Sequence, residues 1–286
     1  MTPCKTAIHA AVWGPRWCGA DLDRTLESAA RIGYDHVAVP LRRFEDVDPP
    51  ALDRAFRAQG LTPLNTCGLS PDTDVGSADA DARGRGVARL RTAVAMARDM
   101  GSPQINGVLY GPLGKAGGPP QPDAVARAAE CMAEVADYAA AAGVRLALEM
   151  VNRYETNLLN TVDQALAFLD MAGHSNLWLH LDTYHMSIEE ADPIGAIRRA
   201  LPRLSYFELD QGNRGNLNDG SLDLRAWTAQ LFAAGYTGIV GVEAFSRSRL
   251  SPDHADALAV WRDTYTDPDQ LAATGLRLIN EAAAAA

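Results

Sequence analysis

The 286-residue sequence lacks the features that mark several large classes of protein. No apolar run approaches the roughly 18 residues needed to cross a bilayer, and the N-terminal MTPCKTAIHAAVWG is too weakly apolar and basic for a signal peptide. The 26 basic and 36 acidic residues give a formal net charge of −10, which repels phosphate backbones. We therefore expect a cytoplasmic protein that binds neither membranes nor nucleic acid.

Cysteine is also scarce, and no C-x-x-C pair occurs. The four cysteines are scattered along the chain, which argues against a disulfide framework and against a zinc site. We expect free thiols in a reducing compartment. The fingerprint G-x-G-x-x-G is missing after the first apolar run, which argues against an open sheet that binds a dinucleotide.

Short apolar runs alternate with longer helical patterns from one end of the chain to the other. The runs predict eight strands: Thr6–Val12, His36–Val39, Thr62–Thr66, Gln104–Leu109, Arg145–Glu149, Leu177–Leu181, Arg203–Glu208 and Gly238–Glu243. The intervening patterns predict eight helices: Leu22–Ile32, Pro50–Gln59, Ala82–Met100, Pro122–Ala142, Thr161–Met171, Pro193–Ala200, Leu222–Ala234 and Pro268–Glu281. No linker divides the chain, so we predict a single α/β domain over residues 1–286, a (β/α)8 TIM barrel.

Four successive predicted strands end in a carboxylate. These residues are Glu149, Asp182, Glu208 and Glu243, and active sites of such barrels lie where strands end. Any one of them could simply face solvent, but four carboxylates that converge on one barrel end would repel one another strongly. A bound divalent cation removes that repulsion, and oxygen ligands favour Mg²⁺ or Mn²⁺.

Two runs in this region carry a resemblance to a known family. The run EMVNRYETNLLNT at 149–161 and the run LDTYHMSIEE at 181–190 resemble the D-tagatose and D-allulose 3-epimerases, the ketose 3-epimerases of the xylose isomerase-like superfamily. Asn213–Gly215, Glu243 and the segments 66–69 and 77–79 are also similar. The similarity extends over nearly the whole chain.

The resemblance implies a metal-dependent epimerase or isomerase of a keto-sugar. Its metal, Mn²⁺ or Mg²⁺ with Co²⁺ as a third choice, is held at four positions: Glu149, Asp182, 208 and Glu243. Glu149 and Glu243 are then also the acid/base pair, which transfers a proton through a metal-stabilised cis-enediolate. The resemblance assigns substrate binding to Glu155, His185 and Arg214, and it implies a homodimer or homotetramer.

Position 208 departs from the family pattern, which has His there. Tyr206 and Gln211 likewise stand where the family usually has His and Glu. Glu208 can remain a ligand in an all-carboxylate site, the interpretation we favour, with Arg214 or Arg153 offsetting the excess negative charge. The alternative is that the site has lost tight metal binding and performs different chemistry, or none.

Three more side chains are candidates for the substrate site. Trp13, after the first strand, is similar to a Trp of the family and either forms an apolar wall for the sugar or packs in the core. Tyr110 lies in a glycine-rich loop, which favours a place in the pocket over the core. Cys67 directly follows the third predicted strand, and a small buried residue is the favoured interpretation over a pocket residue.

The histidines differ in what their positions predict. His180 points to the same side of its strand as Asp182, so it is either a partner of the metal site or an ordinary barrel histidine. No constellation involves the remaining ones, which we expect to be structural: His9, His36, His174 and His254.

Two other functions remain open. The departures at the seventh strand favour other keto-sugar chemistry of the same superfamily, namely inosose dehydration, hydroxypyruvate isomerisation or cleavage of 3-keto C-glycosides. A non-catalytic sugar-binding protein on the same scaffold is the second alternative. A relative of the apurinic endonucleases shares the barrel but would need more histidine ligands and a basic face, which this acidic chain lacks.

Overall fold

Eight parallel strands close into a barrel in sequence order, as predicted. The structure is a computed structural model that describes residues 4–286, so the expected absence of an N-terminal signal peptide involves residues outside it and stays a prediction. The strands are β1 (Lys5–His9), β2 (His36–Pro40), β3 (Thr62–Thr66), β4 (Gln104–Gly107), β5 (Arg145–Glu149), β6 (Leu177–Asp182), β7 (Leu204–Leu209) and β8 (Ile239–Val242).

Helices surround the barrel and connect its strands. They are α1 (Gly19–Ile32), α2 (Pro49–Ala58), α3 (Ala80–Asp99), α4 (Ala124–Ala141), α5 (Val162–Ala172), α6 (Thr183–Glu189), α7 (Pro193–Ala200), α8 (Leu224–Ala233), α9 (Pro252–Ala257) and α10 (Pro268–Ala285). All eight predicted helices are present, whereas the short helices α6 and α9 were not predicted. Within residues 4–286, no helix combines the length and the apolar character that a bilayer crossing requires.

The helix ends follow the capping signals of the sequence. The Thr161 side chain accepts a hydrogen bond from the backbone of Gln164, whose own side chain accepts one from the Thr161 backbone, so this pair forms a capping box. Gly33 ends α1 and Gly173 ends α5 in the left-handed conformation, with φ of 109° and 64°, where glycine carries no steric penalty.

Two predicted strands extend too far at their carboxyl ends by two or more residues. β1 stops at His9, and Ala10–Val12 forms a 3-10 turn instead. β4 stops at Gly107, which has φ of 118° and lies so close to the backbone of Cys67 that a Cβ atom would overlap it. An apolar run therefore continues beyond each strand because the connecting loop is also buried, and periodicity alone does not separate the two.

A large aromatic side chain fills the barrel beneath its carboxyl end. Tyr206 of β7 is fully buried and packs with Ala7, Ala38 and Leu64. It occupies space left by Gly241 of β8, where a Cβ atom would overlap the Tyr206 ring. Tyr206 thus occupies the barrel interior next to the polar residues described below.

Candidate active site

The four predicted carboxylates lie together at the carboxyl end of the barrel, here called the mouth. Glu149 and Asp182 are the last residues of β5 and β6, Glu208 is the penultimate residue of β7, and Glu243 directly follows β8. Asp182, Glu208 and Glu243 are buried, and Glu149 is partly buried. Their burial excludes the alternative in which these carboxylates simply face solvent.

The mouth contains two compact sets of ligand-type side chains, each with atoms within 4.8 Å of one another. The β5 group consists of Glu149, His180 and Glu208, and the β8 group consists of Asp182, Asp210 and Glu243. Asp210 was missed by the sequence analysis. A signal for it exists, because it follows Glu208 by two residues and strand alternation places the two on one side.

His180 stands between two carboxylates of the β5 group. Its Nδ1 atom lies 3.6 Å from Oε2 of Glu149, and its Nε2 atom lies 3.0 Å from Oε2 of Glu208. The Tyr206 hydroxyl donates to the other Glu208 oxygen at 3.0 Å. Burial lowers the pKa of His180 to about 3, so its imidazole is neutral.

The carboxylates are held in surroundings that disfavour their charged form. Burial and then the charge of Glu243 raise the pKa of Glu149, Asp182 and Glu208 well above the usual values. Burial does the same for Asp210, although the Arg214 guanidinium acts in the opposite direction. A bound cation would reverse these shifts.

Unpartnered ligand atoms at the mouth are suited to a divalent cation. Oδ2 of Asp182, Oδ1 of Asp210 and both ring nitrogens of His180 are buried without a hydrogen-bond partner in the described chain. Buried polar atoms of this kind are normally satisfied. Carboxylate oxygens and a neutral imidazole together suit ions such as Mn²⁺ and Mg²⁺.

Arg214 supplies the positive charge of the mouth. Its Nε atom donates to Asp210 at 2.8 Å, its Nη2 atom contacts Glu243, and its Nη1 atom lies 3.7 Å from Glu155. Burial alone would lower the pKa of Arg214, but Asp210 and Glu243 raise it well above its usual value. Arg153, the other cation considered from the sequence, instead pairs with Glu189.

His185 lies on α6 and faces the carboxylate oxygen of Glu149 that His180 does not face. Its Nε2 atom is 3.6 Å from Oε1 of Glu149, and its Nδ1 atom accepts a hydrogen bond from the backbone N–H of Asn152 at 3.1 Å. The Asn152 side chain donates to Glu155 at 3.1 Å. Glu155, His185 and Arg214, predicted to bind substrate, therefore all border the carboxylates.

Tyr110 and Cys67 do not line the open part of the mouth. Tyr110 is fully buried, and its hydroxyl lies 2.8 Å from the carbonyl of Glu149 and 3.0 Å from that of Leu159. This corrects its predicted place in the pocket, because the hydroxyl is used to position the Glu149 backbone from behind. Cys67 is buried, the favoured interpretation, and burial raises the pKa of its thiol to about 11.

Trp13 and His9 each contact a carboxylate, which the sequence did not predict. The Trp13 indole N–H donates to Asp269 at 2.7 Å, which fixes this half-buried ring to the start of α10. A role of Trp13 as a wall for the sugar stays a prediction. His9, expected to be structural, places Nε2 3.8 Å from Oε1 of Glu243.

Comparison with known proteins assigns the chain to a family. Residues 26–281 match the family described as xylose isomerase-like TIM barrel. An L-ribulose 3-epimerase of Methylomonas sp. (strain DH-1) is 37% identical over 278 residues, 96% of each chain. A ketose 3-epimerase of Arthrobacter globiformis is 35% identical over 94% of this chain and 93% of that protein. The chain belongs to the ketose 3-epimerase family.

Solved ketose 3-epimerase structures superimpose closely on this fold. A D-allulose 3-epimerase from Methylomonas sp., crystallised in complex with D-allulose, is 35% identical with a TM-score of 0.94, and 98% of each chain is covered. The resemblance seen in the sequence is thereby confirmed, and the chain is an enzyme of the isomerase class. Ketose 3-epimerases depend on a metal, for which the β5 and β8 groups offer ligands.

Gln211, which stands where ketose 3-epimerases usually have Glu, makes hydrogen bonds only to the backbone of its own loop. The Gln211 side chain donates to the carbonyls of Leu217 and Leu222, at 3.0 and 3.1 Å, and accepts from two backbone N–H groups. Gln211 thus organises the loop after β7. The other two departures are Tyr206 and Glu208, and the Tyr206 hydroxyl donates a hydrogen bond to Glu208.

Proposed function

We propose that this protein is a divalent-metal-dependent ketose 3-epimerase that inverts carbon 3 of an unphosphorylated ketose. The observation that carries the proposal is the pair Glu149 and Glu243. Glu149 lies at the end of β5 and Glu243 at the end of β8, three strands further around the eight-stranded barrel. Both lie beside the buried carboxylates of the mouth. Relatives over nearly the full length are named L-ribulose, ketose and D-psicose 3-epimerases.

The metal would be held by Glu149, Asp182 and Glu243; the sequence alone predicted Glu208 as the fourth ligand, and the identity of that ligand is taken up in the next subsection. The unpartnered oxygen of Asp182 and the raised pKa of the mouth carboxyls support a cation at this place. When bound, Mn²⁺ or Mg²⁺ supplies Lewis-acid stabilisation of the negative charge that develops on the substrate's ketone oxygen.

The two glutamates would move the proton. Glu149 and Glu243 approach carbon 3 from opposite sides, so one carboxylate removes the proton and the other, as the acid, returns one to the opposite face. His185 faces Glu149 and Arg214 contacts Glu243. These two side chains hold the carboxylates in place while their protonation states alternate.

The same neighbours offer hydrogen bonds to a sugar. The Arg214 guanidinium and the Nε2–H group of His185 donate, and the Glu155 carboxylate accepts, which matches the carbonyl and hydroxyl groups of a ketose. The Arg214 plane also lies 4.6 Å from the ring centroids of both Tyr184 and Phe245. This packing restricts the guanidinium to one orientation.

A ketose panel tests the proposal. Protein stripped with EDTA and reloaded with Mn²⁺ is incubated with D-fructose, D-tagatose, D-allulose and L-ribulose, and the products are separated. We expect a 3-epimer from at least one sugar only after Mn²⁺ is added, and a loss of about 10²–10⁴-fold in kcat for Glu149→Gln and Glu243→Gln. Glu134→Gln, at an exposed position, is the control. A protein that does not respond to Mn²⁺ and that converts none of the four sugars contradicts the proposal.

A second candidate function is epimerisation or cleavage of a modified keto-sugar. The specific observation that favours it is the Tyr206–Glu208 pair on β7, where the family pattern has two histidines. This candidate predicts a protein that binds Mn²⁺ but converts no free ketose, and that turns over a 3-keto-glycoside instead.

The proposal also covers the location and the oligomeric state of the protein. We expect a cytoplasmic homodimer or homotetramer, as the resemblance implies. Light scattering coupled to gel filtration measures the assembly, and a monomer over the working concentration range contradicts it.

A further inference from the structure

The two ring nitrogens of His180 are buried, and hydrogen bonds within the protein do not satisfy them. The side chain is 1% exposed, and neither ring nitrogen has a hydrogen-bond partner in the described chain. Each nitrogen nevertheless faces a carboxylate, Nδ1 at 3.6 Å from Glu149 and Nε2 at 3.0 Å from Glu208.

A neutral imidazole carries a single N–H group, so it can donate to only one of these carboxylates. The contact with Glu208 has the length of a hydrogen bond but not its direction, and Nε2 is the nitrogen nearer to a carboxylate, so we place the hydrogen on Nε2. The Nδ1 lone pair then faces the lone pairs of Glu149, an arrangement that is repulsive unless a cation lies between them. Two atoms that bind one divalent ion at about 2.1 Å each lie roughly 3–4 Å apart, and the observed 3.6 Å fits.

His185, the other imidazole beside Glu149, is held in the wrong tautomer for metal binding. Its Nδ1 atom accepts a hydrogen bond from the backbone N–H of Asn152 at 3.1 Å, so the hydrogen of the neutral ring is on Nε2. Nε2 is the atom that faces Glu149. It therefore presents a donor to the carboxylate and to the substrate, with no lone pair for a cation.

We propose that His180 is the nitrogen ligand of the metal, through Nδ1, and that Glu208 holds the ring through Nε2–H without binding the metal itself. This inference rests on the proposed metal-dependent function. It gives the departure at position 208 a physical reason: the imidazole comes from β6 instead of β7, and the β7 position provides its carboxylate partner. Carboxylate–histidine–metal arrangements of this kind fix the tautomer and orientation of the ligand.

Tyr206 completes the arrangement. Its hydroxyl donates to the second oxygen of Glu208 at 3.0 Å, and its ring packs edge-on against the imidazole, with centroids 4.7 Å apart. Both oxygens of Glu208 are thus directed at protein groups. A carboxylate occupied in this way serves as a positioning residue for His180.

Pulsed electron paramagnetic resonance of the Mn²⁺-loaded full-length protein tests the assignment, because echo modulation detects nitrogen nuclei bound directly to the ion. We expect nitrogen modulation in the wild-type protein, in Glu208→Gln and in the control His185→Gln, and its loss in His180→Gln. Mn²⁺ affinity, measured by titration of free Mn²⁺, should fall at least about 10-fold in His180→Gln, and by roughly 10-fold in Glu208→Gln.

The outcomes separate this inference from the proposed function. Mn²⁺ bound without nitrogen modulation in the wild-type protein overturns the role of His180 and leaves the epimerase proposal intact. Modulation that persists in His180→Gln, or disappears in His185→Gln, also overturns it. If the wild-type protein binds no Mn²⁺, the metal-dependent function itself fails. The wild-type spectrum decides the first point even if His180→Gln does not fold.

Discussion

Arg214 shows at the level of a single residue how the mouth tolerates so much negative charge. It is buried, and its guanidinium contacts Asp210 and Glu243 and lies near Glu155. Removal of one partner from a buried ionic network leaves uncompensated charge, which costs far more than the loss of an exposed pair. Arg214 therefore stabilises the metal-free mouth by offsetting the charge of these carboxylates.

We predict that Arg214→Met lowers the free energy of unfolding by about 3–5 kcal/mol in EDTA at neutral pH. The matched control is Arg225→Met, which removes an exposed ion pair with Glu281 and should cost at most about 1 kcal/mol. Urea unfolding measures both. Equal, small losses for the two variants would show that the mouth does not depend on its arginine.

His36 provides a pH test at a position far from the mouth, at the first residue of β2. Burial lowers its pKa, and Nδ1 has no hydrogen-bond partner in the described chain. The folded state then binds fewer protons than the unfolded state below pH 6.5, so stability is complete above that pH and declines as the pH falls. The slope for one such group is at most about 1.4 kcal/mol per pH unit.

We expect wild-type protein to lose more stability than His36→Gln between pH 7.5 and 5.5. The difference between the two unfolding free energies at each pH isolates this residue from the carboxyls of the mouth, which are common to both proteins. A difference that is independent of pH would mean that His36 titrates normally in the folded state.

Individual site residues were predictable to different degrees. Glu149 and Asp182 stand at strand ends within specific motifs, and the structure places them at the mouth. The contacts of His180 and the burial of Tyr110 were not predictable, because they depend on how neighbouring strands are staggered. A single sequence gives the face of a strand on which a side chain lies but not the distance to residues on the next strand.

At the level of elements, β7 and β8 are matched by the size of their inward-facing residues. Tyr206 fills the space above Gly241, where a Cβ atom would overlap the ring. The aromatic residue at position 206 therefore requires glycine at position 241. This pairing also places the hydroxyl that contacts Glu208.

Gly241→Ala should destabilise the protein by about 1–3 kcal/mol through overpacking. The control Gly84→Ala, at an exposed and open position of α3, should instead stabilise it by roughly 0.5–1 kcal/mol, because alanine is the better helix former. Thermal unfolding measures both changes. In the double variant with Tyr206→Phe, we expect a smaller cost for Gly241→Ala; strict additivity would exclude the proposed contact.

The sequence best predicted the elements that have one regular hydrophobic period and a capping residue or glycine at each end. α5 begins with a capping box and ends at Gly173, within a residue or two of its predicted bounds. β1 was predicted too long because its apolar run continues into a buried turn. α6 was missed because it is only seven residues long and follows β6 with no loop between them. Asp182 is both the last residue of β6 and the N-cap of α6.

For the whole molecule, the alternation of eight apolar runs with eight helical patterns was enough to predict a closed barrel. Closure brings the ends of β5 to β8 together, so convergence of their carboxylates follows from the fold. The division of these residues into a β5 group and a β8 group did not follow. It depends on side-chain rotamers and on the irregular pairing near Leu179 and His180.

Metal binding should couple to global stability, because a ligand that binds only the folded state stabilises it by mass action. With Mn²⁺ at about 100 times its dissociation constant, the gain is about 2.7 kcal/mol. We expect this gain in wild-type protein and in Asp163→Asn, an exposed control, and little or none in Asp182→Asn. Melting curves with EDTA or Mn²⁺ measure it, and an equal gain in Asp182→Asn removes that residue from the ligand set.

The most direct test of the central claim is the position at which deuterium enters the sugar. Wild-type protein with Mn²⁺ is incubated in D2O with a ketose that it converts, and both substrate and product are analysed by NMR. Proton transfer between Glu149 and Glu243 at carbon 3 predicts deuterium at carbon 3 and none at carbon 1. Deuterium at carbon 1, or a product formed without deuterium, would contradict a 3-epimerase that works through these two glutamates.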